Sequence, residues 1–534
     1  MSTLVIAGGR VWTDDGAGSI RFEPRTIWVR DGRIVEVLPG VAAPQPGARP
    51  DVRVFDATGK FVAPAFVDAH FHLIALANKS LRVDLSAATS AHDVVAALSS
   101  RPRVLSSCHP ASKDAGAPPR RHPRPLLEDA IVGVDFDESD WRDATLPTRA
   151  DLNAVSGTQP VYARRVCCHV GVANDVLLKA LAARVPARLV DHETGRIIED
   201  AVFEANRLTR PPFDAVAAAV DGAVAHLHSL GITAIHDIVD PDTIDVYAAG
   251  LGASRRPLRI DGYLHLPARD YETARACFDA IDPARVRAAG IKIFSDGSMG
   301  ARTAALHDPY ADAETLGDLL VETRALEAEI ASCAEQGIEC AIHAIGDRAL
   351  STVLDAIETT RARVRVEHAE VIAERDVERI ARMGIPLVMQ PNFVRNWGGE
   401  GGLYERRLGR ARWERNNPFA TLLRTGARVV FSSDGMPAGP LFGLKGATHH
   451  AVERERIGAV DGFRRYTTAA AAMWTARENG PAIEAGARAD LVVFSGNPLI
   501  SDTDRLRVEA TFAEGREVFR APALDARRHS KSGL

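Results

Sequence analysis

His70 and His72, in the segment FVDAHFHL, are separated by one residue. On a β-strand their side chains leave the same face, so two imidazoles converge on one point. His343 in ECAIHAIGD, His368 in RVRVEHAE and Asp434 in RVVFSSDG each stand near the end of another short apolar run. Imidazole and carboxylate are the ligand set for Zn, Mn, Fe or Ni, with open positions left for water and substrate. A lone strand histidine is ordinarily a packed or hydrogen-bonded residue; the same placement repeated at several runs is what points to metal. Lys292 in GIKIFSDGS holds the matching position of a further run. An ammonium there would repel cations, but a lysine buried near cations loses its proton readily. The neutral amine can then add CO2 and become a carbamate, a carboxylate able to bridge two ions. The alternative is an unmodified Lys292 paired with Asp296 or with a substrate anion.

These residues need a scaffold that brings several strand ends together. Eight apolar runs qualify as strands: FVDAHFHL, GITAIHDI, RIDGYLHL, GIKIFSDGS, ECAIHAIGD, RVRVEHAE, IPLVMQPN and RVVFSSDG. Helix-length segments such as TRALEAEIASCAEQ and AERDVERIARM separate the later ones, a rhythm that predicts parallel βαβ units. Eight such units close into a (β/α)8 TIM-like barrel of the α/β class, whose site is built at the C-terminal strand ends. Short β-rich runs with turns fill the first sixty residues and return in ADLVVFSGNP and VEATFAEGREVFRA. Residues 1–62 and 485–520 are therefore expected to form a composite β-sandwich around a barrel at 63–484. The long gap between the first and second runs, about 75–230, predicts an inserted subdomain. Its PASKDAGAPPRRHPRP stretch, with Arg120, Arg121 and Arg124, reads as a flexible loop bearing a solvated charge cluster.

The bulk numbers narrow the function. A chain of 534 residues with 46% hydrophobic and 25% charged residues fits a soluble enzyme with one large and one smaller domain. Net charge is −5 and no basic block marks a nucleic-acid surface, so the partner is a small-molecule substrate. Neither a signal peptide nor a membrane span is evident. A cytoplasmic protein is expected, with a homodimer left open. Six cysteines lack any CxxC pair, which argues against a structural zinc site or a disulfide framework. Cys167 and Cys168, before His169, read as small packed residues rather than nucleophiles.

Together these motifs resemble the amidohydrolase superfamily, and within it the branch of YtcJ-like and N-substituted formamide deformylase-like hydrolases. The resemblance covers essentially the whole chain and includes CCHVGVAND, TGRIIEDA, SMGARTAAL, QPNF and the closing GARADLVVFSGNPL besides the runs above. It implies that His70, His72 and Asp434 hold one divalent ion, most simply Zn, and that His343 and His368 hold another. Carbamylated Lys292 and a hydroxide would bridge them where both are present; the expected cofactor is one or two divalent ions. The chain departs from the pattern in the proline-rich stretch and in Cys168, where the branch favours Gly.

The implied activity is hydrolysis of a C–N bond in an amide, N-substituted formamide or cyclic amide. A metal lowers the pKa of bound water from about 15.7 toward roughly 7, giving a hydroxide nucleophile. Asp434 is placed to carry the proton to the leaving nitrogen, with His368 and Lys292 completing the catalytic set. The substrate wall is expected from His169, Asn174, Asp296, Arg302, Gln390 and Asn392; for Arg302 a salt bridge and for Asn392 a turn cap are the competing roles. Cyclic amidine deamination is a rival, but related deaminases carry a Glu three residues after the fifth-strand histidine, where this chain has Gly346. Ester or lactone hydrolysis needs the same hydroxide. A non-catalytic scaffold would have lost ligands that are all present here.

Overall fold

The computed structural model describes residues 3–14, 19–40, 52–100, 127, 129–143, 145–360, 362–473, 482–500 and 502–522. The charge cluster at Arg120, Arg121 and Arg124 lies outside these residues, as does Cys108. Eight strands form one parallel sheet in sequential order. They are β1 (Phe66–Phe71), β2 (Ile232–Val239), β3 (Arg259–Leu264), β4 (Val286–Phe294), β5 (Glu339–Ala344), β6 (Val364–His368), β7 (Leu387–Met389) and β8 (Val429–Phe431). All eight runs read from the sequence are strands here. Contacts just past β8 draw the sheet toward closure: the Asp434 N–H donates to His70 O at 3.0 Å and the Ser433 N–H to Asp68 Oδ1 at 3.0 Å.

The strands are apolar because both faces are covered, one by inward side chains and the other by helices. Helix Thr323–Gln336 precedes β5, Asp347–Thr360 follows it, and Glu374–Met383 precedes β7. Two of these helices stop at glycines in the left-handed conformation, Gly337 with φ 70° and Gly384 with φ 65°, which turn the chain back toward the next strand. The main core runs continuously from Phe66 and Phe71 on β1 through Ile260, Ile291, Ile342 and Val366 to Phe431.

The excursion between β1 and β2 carries its own sheet, in the order Arg196–Ile198, Val170–Ala173, Val161–Arg165, Ile131–Phe136, Val83–Asp84. It has two small cores of its own, one around Tyr162, Leu177 and Val202, the other around Leu98, Phe136 and Leu152. Strands from the two ends of the chain pair with each other: Leu491–Phe494 lies antiparallel to Phe61–Pro64 and joins Val508–Ala513 and Arg516–Arg520 to the strands of residues 3–56 in one nine-stranded sheet. Among the described residues, no helix is long and apolar enough to cross a membrane.

Candidate metal centre

The C-terminal ends of β1, β4, β5 and β6 and the turn after β8 deliver His70, His72, Lys292, His343, His368 and Asp434 to one mouth of the barrel. His70 Nδ1 lies 2.6 Å from Glu367 Oε2, so Nδ1–H donates to the carboxylate and Nε2 keeps its lone pair. That Nε2 is 3.6 Å from Asp434 Oδ1, and His72 Nε2 is 3.0 Å from the same oxygen. One ligand atom from each of His70, His72 and Asp434 falls within 4.8 Å of the others, the spacing a single cation needs.

The other two imidazoles are fixed just as firmly. His343 Nε2 donates to Gly297 O at 3.0 Å, and its buried Nδ1 meets no hydrogen-bond partner among the described residues. His368 Nδ1 is 2.9 Å from Gln390 Oε1. Gln390 Nε2 donates to Val388 O and Ser432 Oγ at 3.1 and 2.9 Å, which fixes Oε1 as acceptor and frees His368 Nε2. The rings of His343 and His368 stand 4.4 Å apart, and those of His70 and His368 5.0 Å. Lys292 is 2% exposed, and its Nζ also meets no hydrogen-bond partner among the described residues. Buried lone pairs left unmatched are expensive in a folded protein. Here several face one another, and the donor set fits divalent cations.

Electrostatics follow from burial. It pulls Lys292 down to about 8, and it pushes His343 and His368 well below the ordinary imidazole value. His70 is brought to about 4 by burial and by Lys292. Burial alone would raise Asp434, yet His70 and His72 bring it below the usual carboxylate value. Burial likewise opposes ionisation of Glu367, but Arg365 holds it well below the usual range. Neutral His70, His343 and His368 beside ionised carboxylates are in the states ligands require, whereas Asp434, against burial, raises His72 above the ordinary imidazole value. His368 with φ 75° and Asp434 with φ 55° sit in the left-handed region, at a cost of about 1–3 kcal/mol each that only a well-packed surrounding sustains.

Outside this cluster lies a cavity of about 40 Å³, bordered by His343, His368 and Asp434, by His169 and Arg165 from the insertion, and by Met299, Phe393 and Trp397. It has room for roughly three waters. Its cover is shared: Trp397 Nε1 donates to Asp137 Oδ2 at 2.9 Å, and Arg165 reaches Asp137 and Glu138 at 2.6 and 2.8 Å.

Of the six residues expected to form the substrate wall, His169 borders the cavity, with Nδ1 2.8 Å from Glu199 Oε2. The other five do not line this cavity, and their side chains are engaged elsewhere. Asn174 caps helix Asp175–Leu181 and uses its whole amide on Leu177 N, Val161 N, Ser156 O and Gln159 O. The Asp296 carboxylate accepts from the N–H groups of Ala305, Ile345 and Gly346, so it holds the turn after β5 and does not pair with Lys292 through a hydrogen bond. Arg302 makes a two-pronged ion pair with Asp312 at 3.0 and 2.9 Å. Gln390 orients His368. Asn392 bonds Pro437 O, Gly439 O and the Tyr466 hydroxyl. Three residues that sequence reasoning passed over take part: Glu367 and Arg365, behind His70, and Arg165, in the cavity wall. Arg365 and Glu367 are two apart on a strand buried on both faces, and that spacing of charges was the available signal.

Imidazoles, a carboxylate and a buried amine gathered at the strand ends of a parallel barrel form a donor set that divalent metal would fit. The chain belongs to the amidohydrolase family, whose model matches residues 53–519. It is 28% identical to YtcJ of Bacillus subtilis (strain 168) over 92% of this chain and 95% of that protein. To the N-substituted formamide deformylase of Arthrobacter pascens it is also 28% identical, over 96% of this chain and 98% of that one. Among solved structures, an uncharacterized metal-dependent hydrolase from Pyrococcus horikoshii OT3 superposes with a TM-score of 0.72 at 25% identity, covering 94% of this chain and 99% of the other.

Proposed function

We propose that the chain hydrolyses a C–N bond of a small amide, N-substituted formamide or cyclic amide, with divalent metal, most simply Zn, held by the six strand-end residues. The observation that carries this reading is the donor set: His70 Nε2, left with its lone pair, and His72 Nε2, 3.0 Å from Asp434 Oδ1, with His343 Nδ1 and His368 Nε2 across from them. In this reading His70, His72 and Asp434 would hold one ion and His343 and His368 a second, with Lys292 available as a further ligand once carbamylated. Bound metal supplies Lewis acidity and a water acidified toward neutrality. Asp434 would be the carboxylate that moves a proton to the leaving nitrogen, without which an amine leaves poorly. Glu367 keeps His70 in the ligating tautomer, and Gln390 does the same for His368. The Trp397 and Arg165 contacts to Asp137 exclude bulk water and strengthen these interactions.

Deamination finds less support. A side chain at Gly346 would place its Cβ 2.0 Å from Ala305 O, so the position where related deaminases carry Glu has no space for one. The reading also includes a two-layer terminal sandwich. Its support is that Phe55, on one edge strand, packs against Phe512 from the other end of the sheet, with ring centroids 5.0 Å apart.

The test is a panel of N-formyl, N-acyl and cyclic amides given to metal-loaded protein, with amine and ammonia detection. Metal-dependent amine release from one class is expected. Fully loaded protein that releases no amine from any of them would overturn the assignment.

A further inference from the structure

The cavity beside His343, His368 and Asp434 has room for a reacting group and little more. A larger one, of about 220 Å³, lies between the barrel mouth and the inserted sheet. The two adjoin at two contacts. His72, with its side chain 34% exposed, borders the larger cavity and stands 3.0 Å from Asp434, which borders the smaller. Phe203 borders the larger, and its ring centroid is 5.9 Å from that of His169 in the wall of the smaller. A substrate whose reacting group sits at the metal centre therefore has this space for its remainder.

The charges of its wall say what that remainder is. Five cations border the cavity, Lys79, Arg82, Arg164, Arg207 and Arg210, against the single carboxylate of Asp240. Most are matched from outside. Arg207 pairs with Glu204 and Arg210 with Asp242, each at 2.6 Å, Arg82 donates to Thr209 O at 2.6 Å, and Asp240 lies 3.3 Å from His265 Nδ1. Arg164 is not. Its side chain is 16% exposed, its buried Nε has no acceptor among the described residues, and its one ion pair among them is with Asp135 at 3.9 Å. Lys79 is in closer contact with that same carboxylate. The Cys168 thiol near Arg164 adds no anion, since burial pushes it up to about 11. A largely buried guanidinium left with the weaker share of one carboxylate is poorly compensated, and it is kept where a ligand brings a second anion. We propose that this cavity binds the far end of the substrate, with an aliphatic spacer along Ile74, Phe203 and Ile238 and a carboxylate at its tip on Arg164. The substrates are then amides that carry a carboxylate several bonds from the scissile C–N bond, on the amine half or on the acyl half. The inference rests on the C–N hydrolase reading and narrows its substrate class.

The test uses full-length, metal-loaded protein and two matched pairs of amides. 5-Formamidopentanoate against N-(5-hydroxypentyl)formamide places the anion on the amine half, and adipamate against hexanamide places it on the acyl half. In one of the pairs the wild type should favour the anion in kcat/KM by about 10- to 100-fold, the worth of a hydrogen bond between charged groups. Arg164→Met should bring that ratio to within about threefold. No preference in either pair, or a preference that survives the substitution, overturns the proposal. A second measurement needs neither turnover nor a variant: in calorimetry the wild type should bind pentane-1-sulfonate at least about tenfold more tightly than pentan-1-ol. Equal affinities overturn the proposal as well, and so does a sulfonate affinity that Arg164→Met leaves unchanged, since the anion then sits on the metal. If the wild type hydrolyses none of the four amides, the C–N reading fails for this class while the calorimetry still decides the role of Arg164.

Discussion

Replacing Glu367 by Gln probes the support of the metal site without touching a ligand. Glu367 is fully buried and serves two donors, His70 Nδ1 at 2.6 Å and Arg365 Nε at 2.5 Å, one on each oxygen. A glutamine has a single acceptor oxygen. If it keeps Arg365, its NH2 faces His70 Nδ1, which must then accept, and the ring proton moves to Nε2 where the metal should bind. Losing a partner of this kind lowers metal affinity by about 10- to 100-fold, or about 1.4–2.7 kcal/mol. The enforced change of tautomer places this variant at the upper end. Arg365 also loses its counter-charge; removing a buried partner outright costs about 3–5 kcal/mol, and the remaining oxygen should hold the loss below that. The assay is competition with a chromophoric chelator at neutral pH, alongside denaturant unfolding of the metal-free protein. Metal affinity within twofold of the wild type would show that Glu367 does not set the His70 tautomer.

Lys292→Ala should lose most activity and regain a fraction with a short carboxylic acid, and metal-free wild type should reactivate faster with bicarbonate; an alanine variant with near-normal turnover and no added carboxylate would refute a bridging carbamate. Asn174→Ala should lower stability by about 1–3 kcal/mol, from the lost cap and the backbone groups it strands, with KM unchanged; a raised KM at wild-type stability would return Asn174 to the substrate wall. His228 is buried, donates from Nε2 to Pro257 O at 2.9 Å, and is held by burial at about 4. Unfolded chain takes up a proton near pH 6.5 that the folded chain refuses, so its contribution is full above about 6.5 and lost toward about 4, up to about 3 kcal/mol. His228→Gln should flatten the pH dependence of the denaturation midpoint in that window, and an unaltered slope would contradict it.

The fold was legible in the sequence because a parallel barrel strand is an uninterrupted apolar run, and the polar residues ending such runs stand out. His70, His72, His343, His368, Lys292 and Asp434 stand out for that reason. The substrate-wall candidates do not. Asn174, Asp296, Arg302, Gln390 and Asn392 occur beside the same strands, and residue type alone does not separate a side chain that meets ligand from one that caps a helix or holds a turn. The backbone groups that claim them come from segments distant in sequence, as when Asp296 binds Ala305 and Ile345. Arg165 was missed for the converse reason. It lies on the insertion, and only the fold brings it to the cavity beside His343 and His368.

Elemental analysis of the purified protein and of His343→Ala tests the central claim most directly. Two divalent ions per wild-type chain are expected, and no more than one in a folded, inactive variant. A His343→Ala protein with the wild-type complement of metal and wild-type turnover would contradict the account.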